Sequence, residues 1–144
     1  MSKSEALEVA DRLHSAAIRL LRAVRVVDDE TGLSAPKLSA LSVLIYGGAK
    51  SLSALAQAEQ VTAATMSKLI SDLEAGGHVA KQVDAADRRG VRIDVTAQGR
   101  ALFQDARKRR LDLLRKRVAK LSERERESLR DAAELMLRVA AGET

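Results

Sequence analysis

Apolar residues recur at three- and four-residue steps along most of this chain, a spacing typical of amphipathic α-helices. Two short segments, 78–83 and 91–96, instead alternate apolar and polar positions as β-strands do. The polar, glycine-ended stretch between them predicts the tip of a hairpin. The predicted helices cover residues 5–28, 34–47, a short segment after Ser51, 62–75, 97–120 and a last segment after Ser122. This order predicts a mainly α fold with a small β-wing of two to three strands.

Hydroxyl side chains precede most of the predicted helices and fit the N-cap position, where they accept a hydrogen bond from a free backbone N–H. Ser122 and Glu125 also have the spacing of a capping box. The other predicted N-caps are Ser34, Ser51, Thr62 and Thr96. No segment is long enough to act as a linker between two domains, so residues 1–144 are expected to form a single protomer.

The terminal helices are apolar on faces that one small protomer would struggle to cover. In the first helix, Ile18 and Leu21 widen the apolar stripe beyond a single face. In the long helix, apolar residues follow the 3-4-3 spacing of a coiled-coil seam at Leu111, Leu114, Val118 and Leu121. These faces favour a dimer.

Composition excludes several classes of function. The 144 residues include no cysteine, which excludes disulfides, thiolate metal sites and a cysteine nucleophile. The chain has only two histidines, so no metal site is expected, and it has no glycine-rich phosphate loop or nucleophile elbow to suggest an enzyme. No apolar run is long enough to span a bilayer, and the polar N-terminus differs from a secretory signal. We therefore expect a cytoplasmic protein that needs no cofactor and does not enter a membrane.

The net charge of +5 is concentrated in one segment. Residues 97–120 carry nine basic and two acidic side chains, with clusters at 107–110 and 115–117. Such clusters suit a polyanionic partner, but they equally suit a solvated helix face that pairs with acidic neighbours. The acidic run 28–30 ends the first predicted helix and is one candidate neighbour.

Two helices joined by a tight turn and followed by a hairpin have the order of a winged helix-turn-helix, which binds DNA. A helix enters the major groove closely only if its exposed side is small or polar. The helix after the turn meets this demand, and arginines at a hairpin tip suit the electronegative minor groove. The candidate DNA contacts are Thr62, Ala63, Ala64, Thr65, Ser67 and Lys68 on the helix, and Arg88 and Arg89 on the wing. None of the helix residues is Arg or Asn, so phosphate, methyl and shape contacts are expected to outweigh bidentate base readout.

Several stretches of the chain resemble the MarR (multiple antibiotic resistance regulator) family of transcription factors. The most specific is the wing signature Asp84-x-x-Asp87-Arg88-Arg89, followed by Val-Thr-Ala-Gln-Gly at 95–99. The other similar stretches are 32–36, 52–56, 61–69 and 73–77. By motif, the resemblance covers about residues 30–105.

The resemblance implies a homodimer in which residues 34–96 form the DNA-binding lobe, and residues 5–28 and 97–142 form the helical dimerisation region. It implies sequence-specific binding to a near-palindromic operator in duplex DNA, as a repressor relieved by a small molecule. That effector would bind between the dimerisation region and the lobe, where His14 and Tyr46 are the candidate pocket residues. The alternative is a protein–protein assembly module that uses the same winged helix without specific DNA binding.

Three positions depart from the family pattern, one of which is His78, where an apolar residue usually follows the recognition helix. Gln60 stands where the turn normally has a glycine, so a non-glycine residue must adopt a positive φ there at some cost. Ser71 stands where the family often has an aspartate that pairs with the second wing arginine. Arg89 is therefore left to pair with Asp72 or Asp87, or to lack its usual partner.

Overall fold

The computed structural model of the chain describes residues 1–83 and 90–143. The described residues form α1 (Lys3–Val24), α2 (Ala35–Gly47), α3 (Leu52–Ala58), α4 (Ala63–Ala75), β1 (Val79–Val83), β2 (Val91–Val95), α5 (Ala97–Val118) and α6 (Glu123–Ala141). A 3₁₀ helix, Arg25–Thr31, connects α1 to α2. The order confirms the predicted mainly α fold with a small β-wing. The first helix is shorter than predicted, because the chain tightens into the 3₁₀ connector before it reaches Asp28.

The chain forms two compact units, residues 1–110 and residues 111–144, whose boundary falls inside α5. In the first unit, α2, α3 and α4 pack together against the wing. The fully buried large side chains of this unit are Leu41, Leu44, Leu55, Met66, Ile70, Leu73 and Ile93. Full burial of one such aliphatic side chain contributes about 1.5–3 kcal/mol, so this core fixes the positions of α4 and the hairpin relative to each other.

The wing is an antiparallel pair of strands in which Val79 lies opposite Val95 and Val83 lies opposite Val91. Lys50 adds an isolated bridge on the other side of β2 through two backbone hydrogen bonds with Ile93, of 3.0 and 2.8 Å. The sequence predicted a wing of two to three strands, and this single bridge occupies the position of the third strand.

Side-chain caps begin most of the helices as predicted. The hydroxyl oxygens of Ser51 and Thr62 accept hydrogen bonds from the N–H groups of Ala54 and Thr65, both at 3.1 Å. Ser122 forms the predicted capping box. Ser34 occupies the N-cap position of α2, but its side chain accepts no capping hydrogen bond.

A close backbone contact joins the start of α5 to the base of the wing. The Thr96 hydroxyl donates to the Gly77 carbonyl oxygen at 2.6 Å and accepts from the Gly99 N–H at 3.0 Å, which confirms Thr96 as the predicted cap. A Cβ on Gly99 would lie 2.0 Å from the carbonyl oxygen of His78. Glycine is therefore required where α5 crosses the segment that leads into β1.

In the second unit, α6 has no buried residue within the part of the chain that the structure describes. Its large apolar side chains are exposed at Leu129, Leu135, Leu137 and Val139. Across residues 1–83 and 90–143, no helix combines the length and apolarity needed to cross a membrane.

Candidate nucleic-acid interface

The first turn of α4 presents two threonine hydroxyls at the helix N-terminus. Besides capping the helix, the Thr62 hydroxyl donates to the Thr65 hydroxyl oxygen at 2.9 Å. A hydroxyl that accepts one hydrogen bond can still donate its own proton, so Thr65 retains a donor for a partner outside the protein. The positive end of the helix dipole lies at the same place, so this turn suits contact with a phosphate oxygen.

The exposed face of α4 contains all six helix residues predicted to contact DNA. Met66, Ile70 and Leu73 are buried on the opposite face, so the apolar period of the sequence fixes which side faces solvent. The exposed set is Thr62, Ala63, Ala64, Thr65, Ser67 and Lys68. Alanine, serine and threonine leave room for a close approach to base edges.

The turn between α3 and α4 adopts the strained conformation that the sequence predicts. Gln60 has a φ of +56°, the left-handed region that favours glycine. The Gln60 N–H donates to the Gln57 carbonyl oxygen at 3.2 Å, and the Val61 N–H donates to the Ala56 carbonyl oxygen at 3.0 Å. These bonds hold the angle between the two helices despite the missing glycine.

The predicted wing contacts Arg88 and Arg89 lie outside the described residues. Asp72, one of the predicted partners of Arg89, lies 4.0 Å from the Lys37 ammonium group. Within the wing, the Arg92 guanidinium donates to the Ala49 carbonyl oxygen at 3.2 Å, which ties β2 to the segment before α3.

The basic cluster at 107–110 pairs with the acidic run of the 3₁₀ connector, one of the two interpretations that the sequence left open. Arg110 donates from Nε and Nη2 to the two carboxylate oxygens of Asp28, at 2.9 and 2.6 Å. Arg109 pairs with both Asp105 and Glu30. Hydrogen bonds to these carboxylates raise the pKa of each arginine above its ordinary value.

The cluster at 115–117 is also partly neutralised. Asp112 pairs with Arg115 at 2.9 Å and with Lys116 at 3.7 Å. The hydrogen bond from Arg115 is the largest cause of a lowered pKa at Asp112. In both clusters, part of the positive charge is therefore paired with carboxylates on α5 or on the 3₁₀ connector.

A cleft of about 310 Å³ lies between α1, α2 and α5. Its apolar wall includes both aromatic residues of the chain, Tyr46 and Phe103, whose rings meet edge to face with centroids 5.9 Å apart. Three arginines, Arg25, Arg107 and Arg110, complete the lining. Sequence reasoning missed Phe103 and Arg107, although positions 103, 107 and 110 are spaced to share one face of α5.

His14, the other candidate pocket residue, is not among the residues that line this cleft. The first α1 residue in the lining is Leu21, two helical turns further along, and His14 is exposed. In the described part of the chain, no three His, Asp or Glu side chains cluster as metal ligands would.

Comparison with known proteins identifies the family to which the chain belongs. The chain matches the model of the MarR family over residues 31–90. It is 36% identical to an HTH-type transcriptional regulator of Mycobacterium tuberculosis over 129 residues, which is 90% of each chain. In fold, it is similar to a MarR family protein from Bacillus stearothermophilus, with a TM-score of 0.83, 19% identity and coverage of 98% and 99% of the two chains.

A further structure of similar fold is a mutant of S. aureus MepR bound to an oligodeoxyribonucleotide. The TM-score is 0.67 at 21% identity, over 92% of this chain and 97% of that one. The relatives agree with the fold, in which a capped recognition helix follows a tight turn and precedes a wing. The chain belongs to the MarR family of DNA-binding, winged helix-turn-helix transcriptional regulators and is not an enzyme.

Proposed function

We propose that the protein is a homodimeric repressor that binds a near-palindromic operator sequence-specifically and is released from it by a small molecule. The observation that carries this proposal is the exposed face of α4, which is small, polar and capped by Thr62. The oligodeoxyribonucleotide bound to MepR, a protein of similar fold, supports duplex DNA as the partner. A protein that binds an operator on the chromosome is expected in the cytoplasm.

The apolar faces of the terminal helices support self-association. In α1, Leu7, Ile18 and Leu20 are exposed, and in α6 Leu137 is 67% exposed. Exposed apolar side chains on these helices are candidate contacts in an interaction site, and two-fold homodimers are the commonest closed assembly. A two-fold dimer would present two copies of α4, which matches a near-palindromic operator. We therefore assign dimerisation to segments 5–28 and 97–142 and DNA binding to segment 34–96.

The cleft between α1, α2 and α5 is the candidate effector site. Its volume of about 310 Å³ suits a small molecule, and Tyr46 and Phe103 offer an apolar wall beside the guanidinium groups of Arg25 and Arg107. Asp28 already pairs with Arg110, so the other two arginines provide the charge for a ligand. This combination favours an apolar molecule that carries one anionic group.

Fluorescence anisotropy tests the DNA-binding part of the proposal. The labelled probe is a duplex copied from the DNA directly upstream of the protein's own coding sequence, compared with a scrambled duplex across a salt series. We expect tighter binding to the upstream duplex and a steep loss of affinity with salt, since each phosphate contact releases counterions. Equal binding to both duplexes would contradict sequence specificity. Binding to neither duplex would favour the alternative, a protein–protein assembly module.

Sedimentation and ligand screening test the other two parts. Sedimentation equilibrium should give twice the protomer mass, and Leu137→Glu should shift the protein toward monomer. Small aromatic and aliphatic carboxylates are then screened for release of the labelled duplex. Tyr46→Ala should weaken the effect of an active compound without changing DNA affinity in its absence, whereas an unchanged response would place the effector site elsewhere.

A further inference from the structure

An open cleft separates the recognition helix α4 from the wing. It has a volume of about 240 Å³, and its lining residues are Leu52, Ser67, Ile70, Lys81, Val91 and Ile93. Ser67, Lys81 and Val91 are exposed, so the cleft opens on the same side of the molecule as the exposed face of α4. Neither Lys81 nor Val91 was among the contacts predicted from the sequence.

Duplex geometry determines what passes through this cleft. The major and minor grooves of DNA are separated by a single sugar–phosphate backbone. If α4 lies in the major groove and the wing lies in the neighbouring minor groove, that backbone must run between them. The cleft between α4 and the hairpin is the space available to it.

The lining of the cleft has the chemistry of such a backbone. The Lys81 ammonium group and the Ser67 hydroxyl can donate to phosphate oxygens, and the side chains of Val91 and Leu52 offer apolar contact to deoxyribose carbons. Val91 is 48% exposed and its cross-strand partner Val83 is 70% exposed, so an apolar strip continues along the hairpin. Both valines lie outside the buried core cluster.

We infer that this cleft is a slot for the DNA backbone, in which Lys81 binds the phosphate between the two grooves and Val91 packs on its sugar. The inference rests on the proposed DNA binding and adds a positioning contact to it. Lys81 reads no base, so it fixes how deeply α4 sits in the major groove and affects all sequences alike.

Glu74 modulates this contact. Its carboxylate lies 4.0 Å from the Lys81 ammonium group, and both side chains are nearly half exposed. Exposed pairs of this kind contribute little to stability. A phosphate can therefore displace Glu74, and the pair holds the lysine close to the slot until DNA arrives.

Lys81→Gln tests the inference on the full-length protein, with Lys116→Gln as the matched control. Lys116 also carries one exposed ion pair, at 3.7 Å from Asp112, and it lies on α5 outside the winged helix. The same anisotropy salt series is measured on the upstream and scrambled duplexes. We expect Lys81→Gln to lower affinity about tenfold for each bound protomer on both duplexes and to reduce the salt slope by about 0.9 for each bound protomer. Lys116→Gln should change both quantities much less.

Neutral methylphosphonates placed one at a time along the upstream duplex locate the contact. One phosphate in each half-site should weaken wild-type binding when neutralised and have no further effect on Lys81→Gln. Equal losses for Lys81→Gln and Lys116→Gln would show a net-charge effect and overturn the slot while leaving the proposed function standing. Absence of salt-dependent DNA binding by the wild-type protein would overturn both. Matching circular dichroism melting curves for the two variants establish that the fold is retained.

Discussion

Replacing Arg110 by alanine is expected to destabilise the protein far more than the same change at its neighbour Arg109. Asp28 is only 3% exposed, and the bidentate contact with Arg110 supplies the cation it faces. Removing one partner of a buried pair leaves an uncompensated charge, at a cost of about 3–5 kcal/mol. Arg110 keeps about a quarter of its side chain exposed, so we expect the low end of this range, about 3 kcal/mol.

Arg109→Ala is the matched control. Arg109 is the next residue on the same helix and also pairs with the 3₁₀ connector, through Glu30. Both of these side chains are accessible to solvent, which screens their charges, so their pair contributes little to stability. The two variants therefore remove the same side chain and charge from adjacent positions and differ mainly in the burial of the carboxylate left behind.

Urea unfolding followed by circular dichroism measures the difference, at one fixed protomer concentration because dimerisation couples to stability. A loss of 3 kcal/mol should lower the midpoint by at least about 1 M at an unchanged slope. In the Arg110→Ala background, Asp28→Asn should recover about 1 kcal/mol or more, since the buried charge is removed. Equal midpoints for the two single variants would refute the reasoning.

Three further changes test single features of the fold. Gln60→Gly should stabilise the protein by about 0.5–1 kcal/mol in thermal unfolding, because glycine adopts positive φ without a Cβ penalty; a lower midpoint would show that the glutamine is not strained. Gly99→Ala should cost about 2 kcal/mol or more despite better helix propensity, because its Cβ would meet the carbonyl oxygen of His78. In an NMR titration, the pKa of Asp112 should lie below the ordinary aspartate value, so its ion pairs persist above that value and are lost as pH falls through the lowered pKa. Arg115→Gln should move the pKa of Asp112 upward, and an unchanged midpoint would contradict the assigned cause.

Local features of the fold were predictable because local sequence causes them. The caps at Ser51 and Thr62, the hairpin strands and the exposed side of α4 follow from residue type and apolar period within a few positions. The 3₁₀ connector was not predicted, because the apolar period does not distinguish a last α-helical turn from a 3₁₀ turn. The pair of Asp28 and Arg110 joins residues 82 positions apart, and the sequence indicated it only as one of two interpretations of the basic clusters.

The candidate site was predictable where it lies on one helix and not where it lies between elements. The six candidate residues between 62 and 68 are exposed on the first two turns of α4, with Met66 buried between them, so the sequence identified them together. Lys81 was missed because the pattern of a five-residue strand predicts only that its side chain is exposed. Its proximity to Ser67 depends on how the hairpin packs against α4. Phe103 was missed because its ring is part of the ordinary apolar stripe of α5 until Tyr46 meets it.

The distribution of charge leads to a last prediction about specificity. The basic excess of the chain lies on α5, where Arg109, Arg110 and Arg115 already have carboxylate partners. On α4, Lys68 is the single basic residue. Phosphate contacts weaken with salt, whereas methyl and shape contacts do not depend on counterion release.

If α4 recognises its operator mainly through small apolar and hydroxyl contacts, salt should weaken binding to the scrambled duplex at least as steeply as binding to the upstream duplex. The ratio of the two affinities should then hold or rise between 50 and 200 mM salt, roughly the range over which phosphate contacts lose most of their strength. Anisotropy on both duplexes at each salt concentration measures this ratio directly. A ratio that falls toward one would mean that the basic side chains, and not the face of α4, carry the discrimination.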